Sequence, residues 1–255
     1  NEWFSSNFNG RVRTADVNGD GKTDLVATGS GVTYVLRAAG VSPDLVTSVT
    51  NGLGATANFA YKPLTDNSVY IKDTNLNYVW GYPYQEVQAP IYVVSQTTAT
   101  NGAGGLNATG YKYVGLKQHH WASESLGFRR TEMTDPANLT HITEYTQRRE
   151  LGTDGNISLS ETYAPDGVRL KYLANTWTFV ASVCGGRPQA QLTSARDLTR
   201  ELNGTVVTDV TTTNTYDGCG YPTQSVVDMG GGHRKTTAYQ YSHDTTNWRL
   251  GMVTQ

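Results

Sequence analysis

Apolar and polar residues alternate along most of this chain with a period of two, which is the pattern of β-strands that turn one face to solvent. Near the N-terminus three such runs follow one another, at 11–15, 25–28 and 32–36. Further along, the runs come in pairs around short clusters of Gly, Asn, Asp or Pro, and these residues favour the turns of β-hairpins. The paired runs are 45–50 with 55–61, 91–100 with 106–114, 126–134 with 139–147, 157–164 with 168–175, 189–202 with 205–216, and 222–229 with 234–241. The pattern predicts an all-β fold in which long antiparallel hairpins add strands to one running sheet.

The later strands carry little aliphatic bulk. The run from Thr208 to Tyr216 contains five threonines and a single valine. Such strands cannot fill both sides of a dense sandwich core, so we expect a broad sheet with a wet face, stabilised by cross-strand Thr and Tyr pairs.

A long irregular passage separates the N-terminal runs from the repeated hairpins. It spans 63–90 and is rich in aromatic residues, namely Tyr70, Tyr78, Trp80, Tyr82 and Tyr84. Two interpretations are open. The aromatic side chains either pack beneath a long connection or form an exposed platform for a sugar or a peptide.

Composition excludes several classes of function. The chain has 255 residues, a formal net charge of -2 and only 16% charged residues, without a basic run. This balance argues against nucleic acid or an acidic membrane surface as a partner. No apolar run reaches membrane-spanning length, and because the chain begins with Asn1 we expect a piece of a longer polypeptide. Cys184 and Cys219 are too few for a disulfide framework, and the sequence leaves open whether they pair.

The segment 16–24 carries the most specific chemistry. Oxygen-bearing side chains stand at the first, third, fifth and ninth positions of a loop, and Gly21 stands at the sixth position, where a calcium-binding loop bends sharply. Clustered carboxylates repel one another unless a cation lies between them, so the pattern predicts a structural Ca²⁺ site. Its predicted ligands are the side chains of Asp16, Asn18, Asp20 and Asp24 and the backbone carbonyl of Lys22.

The loop departs from the helical calcium hand in two ways. The twelfth position, where a bidentate Glu would close the site, is Ala27. The flanking runs are strands, so the loop should join two strands. The alternative is an acidic turn without a metal, because Asn, Asp and Gly are common turn formers.

Several motifs resemble Rhs proteins and the B component of bacterial insecticidal toxin complexes. The segment 216–223, Tyr-Asp-Gly-Cys-Gly-Tyr-Pro-Thr, resembles the Tyr-Asp (YD) repeat, and 163–167 and 241–244 are looser copies. The segments 111–115 and 126–130, Tyr-Lys-Tyr-Val-Gly and Leu-Gly-Phe-Arg-Arg, resemble a segment of the same proteins. The calcium loop is similar to the FG-GAP or VCBS-type propeller repeat that stands upstream in them.

The resemblance implies an organisation and a role. It implies a propeller-blade-like calcium-loop unit at 1–40, a middle region at 41–125, and Rhs/YD-type hairpins at 126–255 that form part of a hollow β-shell. In that family the shell encloses a toxic polypeptide, and the propeller part docks on a translocation component. We therefore expect a wall segment of a secreted bacterial protein, with the enclosed toxin and a neighbouring shell or translocation component as partners. The chain departs from the family pattern because it has one propeller-like unit and ends at Gln255, before the self-cleaving core and the toxin.

Nothing in the sequence meets the requirements of an enzyme site. The acid-base candidates outside the loop are His119, His120, Glu124 and His233. His119 and His120 are adjacent, so on a strand they face opposite sides. No nucleophile elbow, zinc-protease motif or phosphate loop is present, so we expect no catalytic activity.

Two other classes of function stay open as alternatives. The first is an extracellular carbohydrate-binding or adhesion module that uses the aromatic passage. The second is a glycoside hydrolase with a pair of carboxylates drawn from Glu86, Glu124, Asp135 and Glu144.

Overall fold

The fold is seen in a computed structural model, which describes residues 11–29, 31–40, 44–74, 81–148, 155–184 and 186–254. Within these ranges the regular elements are nineteen strands, with no helix among them. The predicted all-β class is confirmed.

The strands range from two to fifteen residues. In the N-terminal half they are β1 (Arg11–Ala15), β2 (Asp24–Gly29), β3 (Val32–Leu36), β4 (Ser48–Thr50), β5 (Thr56–Pro63), β6 (Tyr70–Ile71), β7 (Tyr84–Glu86), β8 (Tyr92–Thr100) and β9 (Leu106–His119). They continue as β10 (Glu124–Thr134), β11 (Thr140–Tyr145), β12 (Ile157–Tyr163), β13 (Arg169–Val183), β14 (Arg187–Arg200), β15 (Val206–Tyr216), β16 (Pro222–Asp228), β17 (Arg234–Ala238), β18 (Tyr241–Asp244) and β19 (Arg249–Val253).

The chain divides into two compact units, and the first contains the predicted calcium loop. Its described part covers 11–71, apart from gaps at 30 and 41–43, together with Gln88–Ala108. Strands β1, β2 and β3 form an antiparallel meander, as predicted, and the loop joins β1 to β2. Strand β5 lies between β4 and β8 in a second antiparallel arrangement. The buried hydrophobic residues described in this unit are Leu64, Val69 and Tyr70.

The second unit consists mainly of one sheet whose strands follow one another in chain order. Its described residues lie within Lys72–Val87 and Thr109–Gln255. Strands β9 to β17 lie side by side in sequence order, every neighbouring pair antiparallel, and β7 pairs with β9. The prediction that successive hairpins extend one running sheet is confirmed for this unit.

The hairpins use one turn geometry repeatedly. In five turns the first residue donates its N–H to the carbonyl of the fifth residue and accepts the N–H of the fourth. This is a type I turn followed by a residue in the left-handed region, which restores the strand register. The turns begin at Asn51, Asp135, Ala164, Glu201 and Asp217, and their fourth residues, Gly54, Asn138, Gly167, Gly204 and Gly220, all have positive φ.

The Tyr-Asp motif has a structural explanation in this turn. Asp217 is the first turn residue, and its Oδ1 accepts the amides of Cys219 at 2.8 Å and Tyr221 at 3.0 Å. The hydroxyl of Tyr216 donates to the carbonyl of Leu192 on the neighbouring strand at 2.8 Å. The aspartate therefore shapes the turn, and the tyrosine ties the strand end to the sheet.

Apolar burial is sparse in the sheet of the second unit. The buried hydrophobic side chains among its described residues are Leu126, Ala164, Val183 and Leu198. Cross-strand hydroxyl pairs are frequent instead, and Thr199 and Thr208 lie 2.6 Å apart at Oγ1. This agrees with the broad, wet-faced sheet expected from the threonine-rich strands.

The structure differs from the predicted elements in several places. Strand β9 continues to His119, past the predicted end at 114, and β6 and β7 lie in the passage 63–90 that was expected to be irregular. The run 234–241 is not one strand, because β17 ends at Ala238 and Tyr241 opens a separate hairpin, β18 with β19. Strand β13 continues to Val183, well past the predicted end at Asn175. The added length pairs with the first part of β14, the next strand along the chain, from Trp177 with Leu192 to Val183 with Arg187, so this hairpin is longer than predicted.

We expect Gly204→Ala to destabilise the protein by about 1 kcal/mol, because φ at Gly204 is +84° and an L-residue with a Cβ is strained there. Gly218→Ala is the matched control, since Gly218 has no positive φ and no heavy atom within 4 Å of an added Cβ. Urea unfolding of both variants measures the difference. Equal stability of the two variants would contradict the turn geometry.

Candidate metal loop and buried charge network

Asp16 organises the predicted calcium loop. Its Oδ1 accepts the amides of Gly19 at 2.7 Å and Asp20 at 3.1 Å, and its Oδ2 accepts the amide of Gly21 at 2.7 Å. Both glycines have positive φ, which lets the backbone wrap around the carboxylate. The loop is therefore closed around the first predicted ligand.

Asn18 and Asp20 join Asp16 in the same turn. The amide of Asp20 lies 3.2 Å from Asn18 Oδ1 as well as within reach of Asp16 Oδ1, so these two oxygens converge on one N–H group. Asp20 Oδ1 accepts the Lys22 amide at 2.9 Å, and Asn18 Nδ2 donates to Asp20 Oδ2 at 3.0 Å. The Lys22 amide and the Asn18 side chain lower the pKa of Asp20.

Asp24 occupies a different environment. It is fully buried, and its two oxygens accept the amides of Val17 at 3.0 Å and Ala38 at 2.7 Å. The Lys22 ammonium lies 3.7 Å from Asp20 Oδ2 and donates to the Gly40 carbonyl at 2.5 Å. The structure thus brings Asp16, Asn18 and Asp20 together and gives Asp24 a role in holding the loop ends.

The loop is anchored within the first unit. The Tyr92 hydroxyl donates to the Asp20 carbonyl at 2.5 Å, and the Thr65 hydroxyl donates to the Gly19 carbonyl. A Cβ at Gly21 would lie 3.1 Å from the Pro90 carbonyl oxygen. Any change of loop shape would therefore be transmitted to Thr65, Pro90 and Tyr92.

The second unit contains a buried charge network that the sequence analysis missed. The Asp73 carboxylate and the Lys117 ammonium are almost fully buried and form an ion pair. Asp73 Oδ1 also accepts from Arg129 Nε at 2.7 Å. Glu86 approaches Lys117 at 3.3 Å, and Glu144 accepts from Arg129 at 3.0 Å. Burial of the Arg129 guanidinium works against its charged form and would lower its pKa. The hydrogen bonds and ion pairs with Asp73 and Glu144 outweigh this effect, so the pKa of Arg129 is raised.

Two glycines and a glutamine complete the network. Gly115 has φ of +68°, and an added Cβ would overlap the Asp73 carboxylate. The buried Gln147 donates from Nε2 to the carbonyls of Gly115 at 2.9 Å and Gly127 at 2.6 Å. Gly115, Gly127 and Arg129 all belong to the two segments that resemble Rhs proteins, and this was the signal that could have indicated a shared buried site.

A second charged cluster lies at the turn after β15. His243 Nε2 lies 2.9 Å from Asp217 Oδ2, and Cys219 forms a disulfide with Cys184 at a Cα separation of 4.5 Å. Ligand atoms of Asp217, Cys219 and His243 lie within 4.8 Å of one another. The Cys219 sulfur is bonded and both His243 nitrogens have hydrogen-bond partners, so this cluster satisfies itself without an ion.

The remaining acid-base candidates do not form one site. Glu86 and Glu144 belong to the buried charge network, while Asp135 begins a turn and contacts His141 at 3.1 Å. Glu124 opens β10 opposite His119.

The aromatic passage is described only in part. Tyr78 and Trp80 lie outside the described residues, and Tyr70 is buried. Tyr82 is 69% exposed and packs edge-on against Trp121, which is 72% exposed.

A comparison with protein-family models matches residues 5–151 to the insecticide toxin TcdB middle/N-terminal region. This match covers more than half of the chain. The chain belongs to the TcdB family. Residues of the predicted calcium loop and of the buried charge network both lie within the matched region, and the YD-like hairpins follow it. A search of curated proteins gives no match.

Solved structures share the fold of this TcdB-family chain. A TcdB2-TccC3-Cdc42 crystal structure matches 95% of the chain at a TM-score of 0.73 and 12% identity, and a TcdB2-TccC3 crystal structure matches 95% at 0.70 and 13%. The Tc holotoxin pore of Photorhabdus luminescens matches 85% at 0.66 and 13%. The chain spans 16%, 17% and 13% of the lengths of these three chains, respectively. The suspected relationship to toxin-complex B components is confirmed.

No part of the described TcdB-family chain contains a helix of the length and apolar character needed to cross a membrane.

We expect Asp73→Asn to destabilise the protein by about 3–5 kcal/mol, because the change leaves the buried Lys117 and Arg129 charges without their shared partner. Asp209→Asn makes the same chemical change in the exposed Arg196–Asp209 pair and should have little effect. Chemical denaturation of the two variants measures the contrast. Similar losses in both would show that the buried charge network has no special importance.

Proposed function

We propose that this chain is a wall segment of a β-shell that encloses a toxic polypeptide for delivery from a secreted bacterial toxin complex. The enclosed polypeptide and a neighbouring shell or translocation component are its proposed partners. Membership of the TcdB family and the fold shared with TcdB2-TccC3 structures support a structural role in such a complex. The Cys184–Cys219 disulfide suits a protein that works outside the cytosol.

The observation that carries the proposal is the running sheet of the second unit. It adds strands in chain order and buries few apolar side chains, which suits a wall that covers a space. A shallow groove of about 710 Å³ lies on strands β14 to β17. Its charges are paired, Arg196 with Asp209 and Arg234 with Asp228. A surface whose charges are already paired with each other can face a polypeptide without holding it tightly.

We propose no catalytic role. The candidate carboxylates Glu86 and Glu144 form ion pairs, and Asp135 begins a turn.

The same proposal includes a three-region organisation. It places an FG-GAP/VCBS-like unit at 1–40, a middle region at 41–125 and YD-type hairpins at 126–255.

In a complete TcdB–TccC-type complex that carries this chain as one segment of its wall, the enclosed C-terminal polypeptide should resist trypsin, because a closed wall excludes the protease. The measurement is the half-life of that polypeptide in complexes with and without this segment. Asp209→Asn should leave the protection unchanged, whereas Asp73→Asn should reduce it by weakening the fold.

Equal digestion in both conditions would contradict the wall proposal.

The exposed pair Tyr82 and Trp121 favours carbohydrate binding as the second candidate function. Saturable binding to a glycan array that is lost in Trp121→Ala would support that function instead.

We propose in addition that the loop at 16–24 binds Ca²⁺ and stabilises the first unit. Hard cations prefer carboxylate and amide oxygens, and Asp16, Asn18 and Asp20 offer them within one closed turn. Asp24 and the Lys22 carbonyl complete the predicted ligand set. Asp24 would have to exchange one of its two amide contacts to bind the ion.

A ligand that binds only the folded state stabilises it by mass action, so added CaCl₂ should raise the melting temperature and a chelator should lower it. At a Ca²⁺ concentration a hundredfold above Kd the gain is about 2.7 kcal/mol. Asp20→Ala should abolish the response. Asp197→Asn, an exposed carboxylate outside the loop, should retain it. A melting temperature insensitive to both Ca²⁺ and chelator would remove the metal proposal.

A further inference from the structure

Two hairpin turns of the second unit carry the same aspartate–histidine arrangement. Asp135 and Asp217 each begin a turn, and Oδ1 of each accepts two turn amides. Oδ2 of Asp135 lies 3.1 Å from His141 Nε2, and Oδ2 of Asp217 lies 2.9 Å from His243 Nε2. The two sites share this aspartate geometry and differ in what the second ring nitrogen contacts.

That second contact differs in its chemistry. His243 Nδ1 accepts the backbone amide of Gly251 at 3.1 Å, and an amide N–H can only donate. His141 Nδ1 lies 3.2 Å from the hydroxyl of Thr162, which can donate or accept. A proton on His141 Nδ1 is accommodated by rotation of that hydroxyl. A proton on His243 Nδ1 would face another donor.

The surroundings hold Gly251 in this position. Strands β18 and β19 pair at Ser242 with Met252 and again at Asp244 with Arg249, and the ladder is irregular between these pairs. Gly251 lies in the irregular part with φ of +71°, and an added Cβ would overlap the Tyr221 ring. These constraints keep the Gly251 amide within hydrogen-bond distance of the imidazole.

We propose that His243 is an acid-sensitive latch within the β18–β19 hairpin, held from outside by the turn after β15. In the neutral ring the proton is on Nε2 and is donated to Asp217, while Nδ1 on β18 accepts the Gly251 amide of β19. Protonation of Nδ1 keeps the Asp217 contact and breaks the Gly251 contact, so β19 loosens from the imidazole on β18.

The groups around His243 permit this behaviour. The Asp217 carboxylate faces Nε2, the rings of Tyr221 and Tyr241 lie 5.3 Å and 6.3 Å from the imidazole, and the adjacent disulfide does not titrate. Asp244 and Arg249 form the next pair along the hairpin. Burial raises the pKa of Asp217, but the Tyr221 amide and His243 outweigh it, so the pKa is lowered and the carboxylate stays ionised in mild acid.

The direction of the effect follows from the neutral ring. The Gly251 contact requires unprotonated Nδ1, so it is present while the ring is neutral and is lost when the ring is protonated. Imidazole side chains as a class change charge between about pH 5 and about pH 8, so the two states are compared at about pH 7.5 and about pH 5.

Amide hydrogen exchange at these two pH values, corrected for the intrinsic pH dependence of exchange, tests the latch. Amides of 249–253 should lose protection about fivefold to tenfold at the lower pH, the value of one net hydrogen bond. In His243→Asn the amide oxygen replaces Nδ1 as an acceptor that does not titrate, so the protection should become independent of pH.

The His141 site is the matched control. Amides of 157–163, which include Thr162, should keep their protection at both pH values, and His141→Asn should leave the response of 249–253 intact. The ¹⁵N shifts of the His243 ring at about pH 7.5 should identify the tautomer protonated at Nε2. Protonation at Nδ1, or unchanged protection of 249–253 in the wild-type protein, would overturn the proposal.

Discussion

The register of this sheet depends on its turns. A strand with one buried face is held in register by that burial, but strands that are polar on both sides can slip. Few apolar side chains are buried in the sheet of the second unit, so burial alone cannot fix the pairing. The repeated turn supplies the missing constraint, because its fourth residue, such as Gly220 with φ of +83°, returns the chain in one register only. Cross-strand hydroxyl pairs such as Thr199 with Thr208 then reinforce a register that the turn has already chosen.

The buried charge network is the opposite case, because here the constraint comes from distant residues. Asp73, Lys117 and Arg129 are brought together from separate segments, and each needs the others to compensate for lost hydration. A buried ion pair adds little net stability compared with a well-packed apolar cluster, but it tolerates no missing partner. A slipped strand would leave one of these charges buried and unpaired, so the network disfavours that register.

Local chemistry explains which parts of the fold could be predicted from the sequence. Turn residues and strand alternation are local signals, so the turns between β9 and β17 that the sequence marks were placed correctly, whereas β9 and β13 extend well past their predicted ends. The β18–β19 hairpin was missed because its turn, 245–248, lacks a Gly and has Trp248 with φ of 55° instead. The charge network could not be derived, because nothing near Asp73 in sequence indicates that Lys117 and Arg129 will approach it. The loop at 16–24 was located by spacing alone, yet spacing did not indicate that Asp24 would turn to the amides of Val17 and Ala38.

Aspartate spacing is ambiguous for a physical reason. An ionised carboxylate has about four acceptor sites, and backbone amides and metal ions compete for the same lone pairs. Asp217 uses Oδ1 for two turn amides and Oδ2 for His243, so a Tyr-Asp pair that resembles a catalytic dyad is occupied by structure. Asp16 also accepts several amides, but its neighbours Asn18 and Asp20 bring further oxygens to the same turn. What separates a metal site from a cap is therefore the number of oxygens that converge on one point. Asp16 Oδ1 and Asn18 Oδ1 meet at the Asp20 amide, and the calcium proposal requires an oxygen of Asp20 to join them.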